Sequence, residues 1–305
     1  MSSHGSHLTR RHLLGALAAT PFLSMAARPT FARGNLAVID WALLETVLML
    51  GLVPVAAPEL ILFRRLAVEP HVPGSVDDLG LRGALSFERL ALLKPDVVYG
   101  SNYSAWAAPQ IEAITRLTIF DLFRQGEPPL EKIEAMTLAL TKDYGIPQQG
   151  SRAIASARAT IDITRNRLKG LREKNVLIVD VGDANHVRVY GEDSLFGETL
   201  ARLGLTNAWR DGTRYSASAP VSMAALAAYP EAFLIVVGPV PPDARAAIQS
   251  GALWQALPAV ASGRFAVIEP CNAFGALPAS LRLARLVSTA LLKGPATSPV
   301  DRSPA

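Results

Sequence analysis

One short unit occurs twice in this chain, and that repetition constrains the architecture more than any single motif does. Trp41-Ala42-Leu43-Leu44-Glu45-Thr46-Val47-Leu48-Met49-Leu50-Gly51-Leu52 is matched by Ser194-Leu195-Phe196-Gly197-Glu198-Thr199-Leu200-Ala201-Arg202-Leu203-Gly204-Leu205. Each copy carries a Glu-Thr pair on a short amphipathic segment and ends in Leu-Gly-Leu, with Gly51 and Gly204 where a helix takes a left-handed C-terminal cap. A second echo follows each copy. Leu93-Lys94-Pro95-Asp96-Val97-Val98-Tyr99-Gly100 and Ala228-Tyr229-Pro230-Glu231-Ala232-Phe233-Leu234-Ile235-Val236-Val237-Gly238 both set Pro and an acid before an apolar run that stops at Gly. Two copies of one supersecondary unit predict two lobes, and the cleft between lobes is the default ligand site.

Each half alternates β-rich runs with helical stretches, the pattern of an α/β fold with mostly parallel strands. Strands are expected at Leu36–Ile39, Val53–Ala56, Asp96–Tyr99 and Leu117–Phe120, then at Val176–Val181, Val187–Tyr190, Phe233–Val237 and Phe265–Ile268. Between the halves, Ile154, Ala157, Ile161, Thr164, Leu168 and Leu171 recur in steps of three and four. That spacing makes one apolar stripe on a helix from Ser151, its expected N-cap, to Arg172, with Lys169, Arg172 and Lys174 at the negative end of its dipole. Such a helix would be on the order of 30 Å long, a strut across a small domain. The expected division is a leader at 1–32, a first lobe at 34–147, a linking helix at 148–173, a second lobe at 174–293 and a flexible Pro-rich tail at 294–305.

The leader is read from its own chemistry. Arg10-Arg11 precedes a moderately apolar stretch from Leu13 to Ala27, and small residues surround a cleavage site after Ala32. This layout predicts a secretory signal of the twin-arginine type and a periplasmic destination. A spanning anchor is disfavoured, because the apolar run falls short of the ~20 residues needed and Pro21 interrupts it. The formal net charge is +4, and Arg10, Arg11 and Arg28 account for most of it, which removes the case for a nucleic-acid partner.

Metal-ligating side chains are scarce. Of five histidines, His4, His7 and His12 fall in the leader, leaving His71 and His186 beside the lone Cys271. No cluster with metal-ligand spacing can be built from them, so no protein-held metal or cofactor is expected. Nor does the sequence hold a phosphate-cradling Gly-rich loop, a Gly-x-Ser-x-Gly elbow or a His-Glu-x-x-His helix, so an enzyme is not the expected reading. Cys271 has no partner for an internal disulfide and is read as a packed thiol.

The segment Pro73-Gly74-Ser75-Val76-Asp77-Asp78-Leu79-Gly80-Leu81-Arg82, followed by Phe87-Glu88-Arg89-Leu90-Ala91-Leu92-Leu93-Lys94-Pro95-Asp96, resembles the periplasmic ferric-hydroxamate-binding proteins of the FhuD type. The likeness continues through Asn207-Ala208-Trp209, Val221-Ser222, Leu253-Trp254-Gln255-Ala256-Leu257-Pro258, Gly263-Arg264-Phe265 and Phe274-Gly275-Ala276. It implies the helical-backbone class of solute-binding proteins, two Rossmann-like lobes joined by one long helix with only slight closure on ligand. It also implies a monomeric carrier that delivers a ferric siderophore to an inner-membrane ABC permease and its ATPase.

By that resemblance, Arg82 and Tyr103 would hydrogen-bond the iron-bound oxygens, and Trp209, Tyr215 and Phe274 would pack on the organic scaffold. A guanidinium suits electron-rich chelate oxygens because it presents a planar fork of donors. Glu45 and Glu198 match two glutamates that would dock, one per lobe, onto arginine pockets of the permease. The sequence departs from the family where Leu66, Ser216 and Asn272 stand in place of tryptophans, which predicts a wider or more polar pocket. Trp106 and Arg188 are further residues that could face the cleft. The same fold would also serve a haem or corrinoid carrier, and a periplasmic siderophore-processing enzyme is the rival from another class.

Overall fold

The computed structural model describes residues 35–171, 174–213 and 219–294. The leader with Arg10 and Arg11, Tyr215 and Ser216, and the tail beyond Gly294 lie outside the described residues. Among those described, no helix is long and apolar enough to cross a membrane.

The apolar runs Leu36–Val38 and Val97–Ser101 become neighbouring strands of a first sheet. β1 (Leu36–Val38) leads into α1 (Trp41–Met49), and β2 (Ala56–Ala57) into α2 (Leu60–Leu66). β3 (Asp77–Asp78) is followed by a small hairpin of β4 (Gly80–Leu81) and β5 (Ala84–Leu85), then by α3 (Phe87–Leu93). β6 (Val97–Ser101), α4 (Ala108–Glu112), β7 (Arg116–Phe120) and α5 (Leu130–Asp143) complete this half. The strands are parallel in the order β3-β2-β1-β6-β7.

The connecting helix α6 (Pro147–Leu168) has 22 residues, about 33 Å of rise. It begins four residues before the expected N-cap because Pro147 occupies the first turn, where its missing N–H is no loss. Ser151 therefore lies inside the helix, where its hydroxyl donates to the Pro147 carbonyl. The expected stripe is what α6 buries: Ile154, Ala157, Ile161, Thr164 and Leu168.

The second half contains β8 (Asn175–Val181), β9 (His186–Val189), α7 (Leu195–Arg202), β10 (Thr206–Asn207), β11 (Ala219–Ser222) and β12 (Phe233–Val237). It ends with α8 (Pro242–Ser250), α9 (Ala252–Ala256), α10 (Pro258–Ala261), β13 (Phe265–Ile268) and α11 (Leu277–Lys293). Its sheet runs β11-β9-β8-β12-β13, with β10 also on β8. β8, β10, β12 and β13 are parallel, whereas β9 and β11 are antiparallel additions.

Two α/β lobes joined by one long helix is the fold class that the repeat and the helical stripe predict. The halves are also packed together. Leu195 of α7 and Ala276, Leu277 and Ala279 at the start of α11 belong to the apolar core built around the first sheet. Helix α6 packs on α5 at one end of the chain's order and on α7 and α11 at the other.

Candidate functional site

In parallel α/β sheets, ligand-reading side chains collect where strands end at their carboxyl edges. Here the residues after β1, β2 and β6 converge in that way. Asp40, directly after β1, caps α1 by accepting from the Ala42 N–H at 2.8 Å, and its other oxygen accepts from the Ser101 hydroxyl at 2.6 Å. Burial pushes the Asp40 carboxyl above its usual range; the Ser101 hydroxyl, the Ala42 N–H and the nearby Arg82 guanidinium oppose that rise. Ser101 Oγ also accepts from the Tyr103 N–H at 3.2 Å, so one hydroxyl ties the Asp40 corner to the Tyr103 turn.

Arg82 emerges from the β4–β5 hairpin and lies across the face of Trp41, its guanidinium carbon 3.9 Å from the ring centroid. Its Nε donates to Glu59 Oε2 at 2.6 Å, and its backbone N–H donates to Glu59 Oε1 at 3.1 Å. The Arg82 side chain nonetheless stays 40 % exposed. Trp41 is locked from beneath, with its indole N–H donating to the Pro58 carbonyl and its ring edge-on to Phe63.

An aromatic group forms at the Tyr103 turn. Tyr103, 42 % exposed, stacks on Phe123 with centroids 5.3 Å apart, and Phe274 meets both rings edge-on at 5.7 Å. Phe274 comes from the loop before α11, so this group is shared between the halves. Nearby, the Gly126 N–H donates to Asp193 at 2.8 Å and the Gln125 amide donates to the Thr213 carbonyl, again joining first-half and second-half loops. Tyr103 and Phe274 are therefore brought together where the two halves meet, and the Asp40–Ser101 bond ties the Tyr103 turn to the start of α1, over which Arg82 lies.

The remaining expected residues fall elsewhere. Trp209 is 7 % exposed and packs against Tyr229 within the apolar core of the second sheet. Asn272 is buried, Leu66 packs partly buried on the first core, Trp106 is exposed with its edge toward Phe87, and Arg188 is exposed on β9.

Glu45 and Glu198, the expected docking pair, both turn inward. Glu45 is fully buried, accepting from Asn272 Nδ2 at 2.8 Å and from the N–H groups of Ala276 at 2.7 Å and Ala279 at 3.2 Å. Burial raises its pKa to about 8 against those three donors. Glu198, 12 % exposed at its side chain, accepts from the Leu130 N–H at 2.6 Å and from Arg202 at 2.9 Å. Both carboxylates are engaged within this chain. Each caps a helix of the opposite half, Glu45 at α11 and Glu198 at α5.

Trp41, Glu59, Asp40 and Phe123 were not anticipated from sequence as site residues. Their signal was positional: each directly follows, or lies one turn beyond, a strand of the first sheet. A separate hollow of about 550 Å³ is lined by Lys174, Asn175, Thr206, Ala208, Arg210, Glu231 and Arg264, at the amino ends of the second sheet's strands. Among the described residues no three His, Cys, Asp or Glu side chains are grouped so as to hold a metal ion.

Carboxyl-edge residues shared between two α/β halves on a helical backbone define a solute-binding protein, and the sequence pattern of the periplasmic binding protein family matches residues 36–270. The chain belongs to that family. It is 28% identical over 290 residues to the iron(3+)-hydroxamate-binding protein FhuD of Escherichia coli strain K12, covering 93% of this chain and 97% of that one. The fold is like that of the Fe3+-Desferal-bound siderophore-binding protein FhuD from Vibrio cholerae, with TM-score 0.81, 24% identity and coverage of 85% and 98%. It is also like the triscatecholate siderophore-binding protein FeuA from Bacillus subtilis complexed with ferri-bacillibactin, with TM-score 0.65, 16% identity and coverage of 85% and 92%.

Proposed function

We propose that this chain is an exported carrier that captures an iron(III)-hydroxamate siderophore between its lobes and hands it to an inner-membrane ABC permease with its ATPase. Export by a twin-arginine leader at residues 1–32 and a periplasmic site of action belong to the same reading, as do binding without turnover and lobes near 34–147 and 174–293. The iron is cargo, already wrapped in its chelator.

The single observation that carries the reading is the Arg82 guanidinium, fixed over Trp41 yet 40 % exposed. A fixed cation with unused N–H donors suits the negative outer oxygens of a hydroxamate chelate, and aromatic rings suit its apolar linkers. Tyr103 would add a phenolic donor, and Tyr215 would join from the second half. The family and the relatives named above support the same class of ligand.

Titration with ferrichrome and ferrioxamine, followed by tryptophan fluorescence quenching, tests this directly. Both should bind stoichiometrically and be released unchanged. Arg82→Ala should weaken binding by about ten- to a hundredfold, the worth of hydrogen bonds from a charged donor. Tight binding of haem or cobalamin with no response to ferric hydroxamates, or catalytic conversion of the chelate, would overturn the reading.

A further inference from the structure

We infer that Glu59 is a positioning residue for ligand recognition: its carboxylate clamps Arg82 to one orientation over Trp41, so that the remaining guanidinium N–H groups face the chelate without searching for it. The inference rests on the reading that Arg82 meets a ferric hydroxamate, and it adds a residue whose role is to aim that contact.

Three features of the geometry point to this role. The first is the two-point grip, with Glu59 Oε2 on Arg82 Nε at 2.6 Å and Oε1 on the Arg82 backbone N–H at 3.1 Å. A carboxylate that holds both main chain and side chain of one residue fixes the root and the first donor of the guanidinium together. The second is the zipper beneath it. Asp78 accepts from the Leu60 N–H at 3.0 Å and the Gly80 N–H at 2.9 Å, while the Glu59 N–H donates to the Gly80 carbonyl at 2.8 Å. The turn entering α2 and the turn entering the β4–β5 hairpin are thus laced side by side, and Glu59 and Arg82 project from adjacent points of that lacing.

The third is the backbone of Glu59 itself, at φ 52° and ψ 44°. A non-glycine residue in the left-handed region is disfavoured and would be expected there only where surrounding contacts hold it. At 13 % side-chain exposure, Glu59 is also the more enclosed partner of the pair. Pre-ordering a long cationic side chain removes an entropy cost that would otherwise weaken binding. Because the Glu59 charge offsets that of Arg82, recognition would rest on directed hydrogen bonds to the chelate oxygens more than on net attraction.

The left-handed φ supplies a clean variant. Glu59→Gly relaxes the backbone while deleting the clamp, so folding is retained. It should weaken ferrioxamine binding by about tenfold, the scale of one hydrogen bond involving a charged group. Glu59→Gly in an Arg82→Ala background should then change affinity little, since the two residues act as one unit. A ligand-free readout is the Arg82 side-chain Nε–H in 15N-arginine spectra, assigned by its loss in Arg82→Lys. It should exchange slowly in the wild type and fast in Glu59→Gly. Additive losses in the double variant, or a fast-exchanging Nε–H in the wild type, would overturn the inference. A slow Nε–H in a wild type that binds no ferric hydroxamate would leave the clamp standing and remove the proposed ligand instead.

Discussion

A buried carboxylate with no cation beside it should leave a mark on stability. Glu45 is such a group: its three donors are an amide and two backbone N–H groups, Asp40 raises its pKa further, and burial dominates. With a folded pKa of about 8 against 4.5, the folded chain keeps a proton that the unfolded chain has already released between those values. Stability from this group is therefore complete below pH 4.5 and is lost as pH rises toward 8, with a slope of at most about 1.4 kcal/mol per pH unit. Urea unfolding of the wild type between pH 5 and 8 should show this decline, and Glu45→Gln should flatten it. A wild type whose stability holds level over that range, with Glu45→Gln weaker by a constant amount, would mean that the carboxylate is ionised in place. Space at this point is tight as well, since a Cβ added to Gly275 would lie 2.5 and 2.6 Å from the two Glu45 oxygens.

Helices α5 and α11 share a defect and a remedy. Neither has a capping side chain of its own, because Pro129 and Ala276 occupy the N-cap positions. Each takes an acidic side chain from the repeated Glu-Thr unit of the other half, whose oxygens accept from N–H groups at the helix start, and at α5 the Glu198 charge also complements the positive end of the dipole. Glu198→Ala should cost about 1–2 kcal/mol of stability by urea unfolding, the scale of a lost N-cap carboxylate. A loss no greater than that of a surface substitution would show that α5 is held by its packing alone. The sequence made the pairing of these glutamates visible, but not where their side chains go. For α1 the information was present, since Trp41-Ala42-Leu43-Leu44-Glu45-Thr46-Val47 is apolar nearly all round and such a helix is buried on every side. The strands at Phe233–Val237 and Phe265–Ile268 were legible to the residue because continuous apolar runs have one good use in a parallel sheet. The two-residue strands β3 and β4 were not, because Asp77-Asp78 and Gly80-Leu81 carry no period; tertiary pairing imposes their conformation.

Taken together, the crossed caps and the connecting helix decide how the whole molecule moves. Glu198 bonds Arg202, Arg202 lies 3.7 Å from Glu134 on α5, and Glu134 pairs with Arg158 on α6, so a chain of charges ties α7, α5 and the connecting helix. Shared apolar packing at Leu195 and at the start of α11 runs through the same region. Opening the halves as on a hinge would strip both caps, break this charge chain and expose core, all at once. Hinge proteins instead place their bending at a few loop residues between lobes, and here the connection is 22 residues of continuous helix. Ligand capture should therefore proceed with little closure, and most of its order should be present beforehand. Small-angle X-ray scattering of the ligand-free and ferrioxamine-loaded protein should give the same radius of gyration within error. Under that rigidity, Glu45→Ala with Glu198→Ala should loosen the ligand-free form and introduce a measurable contraction on binding. A clear contraction in the wild type would show that the crossed caps yield on binding and that the connecting helix does not hold the halves at a fixed distance.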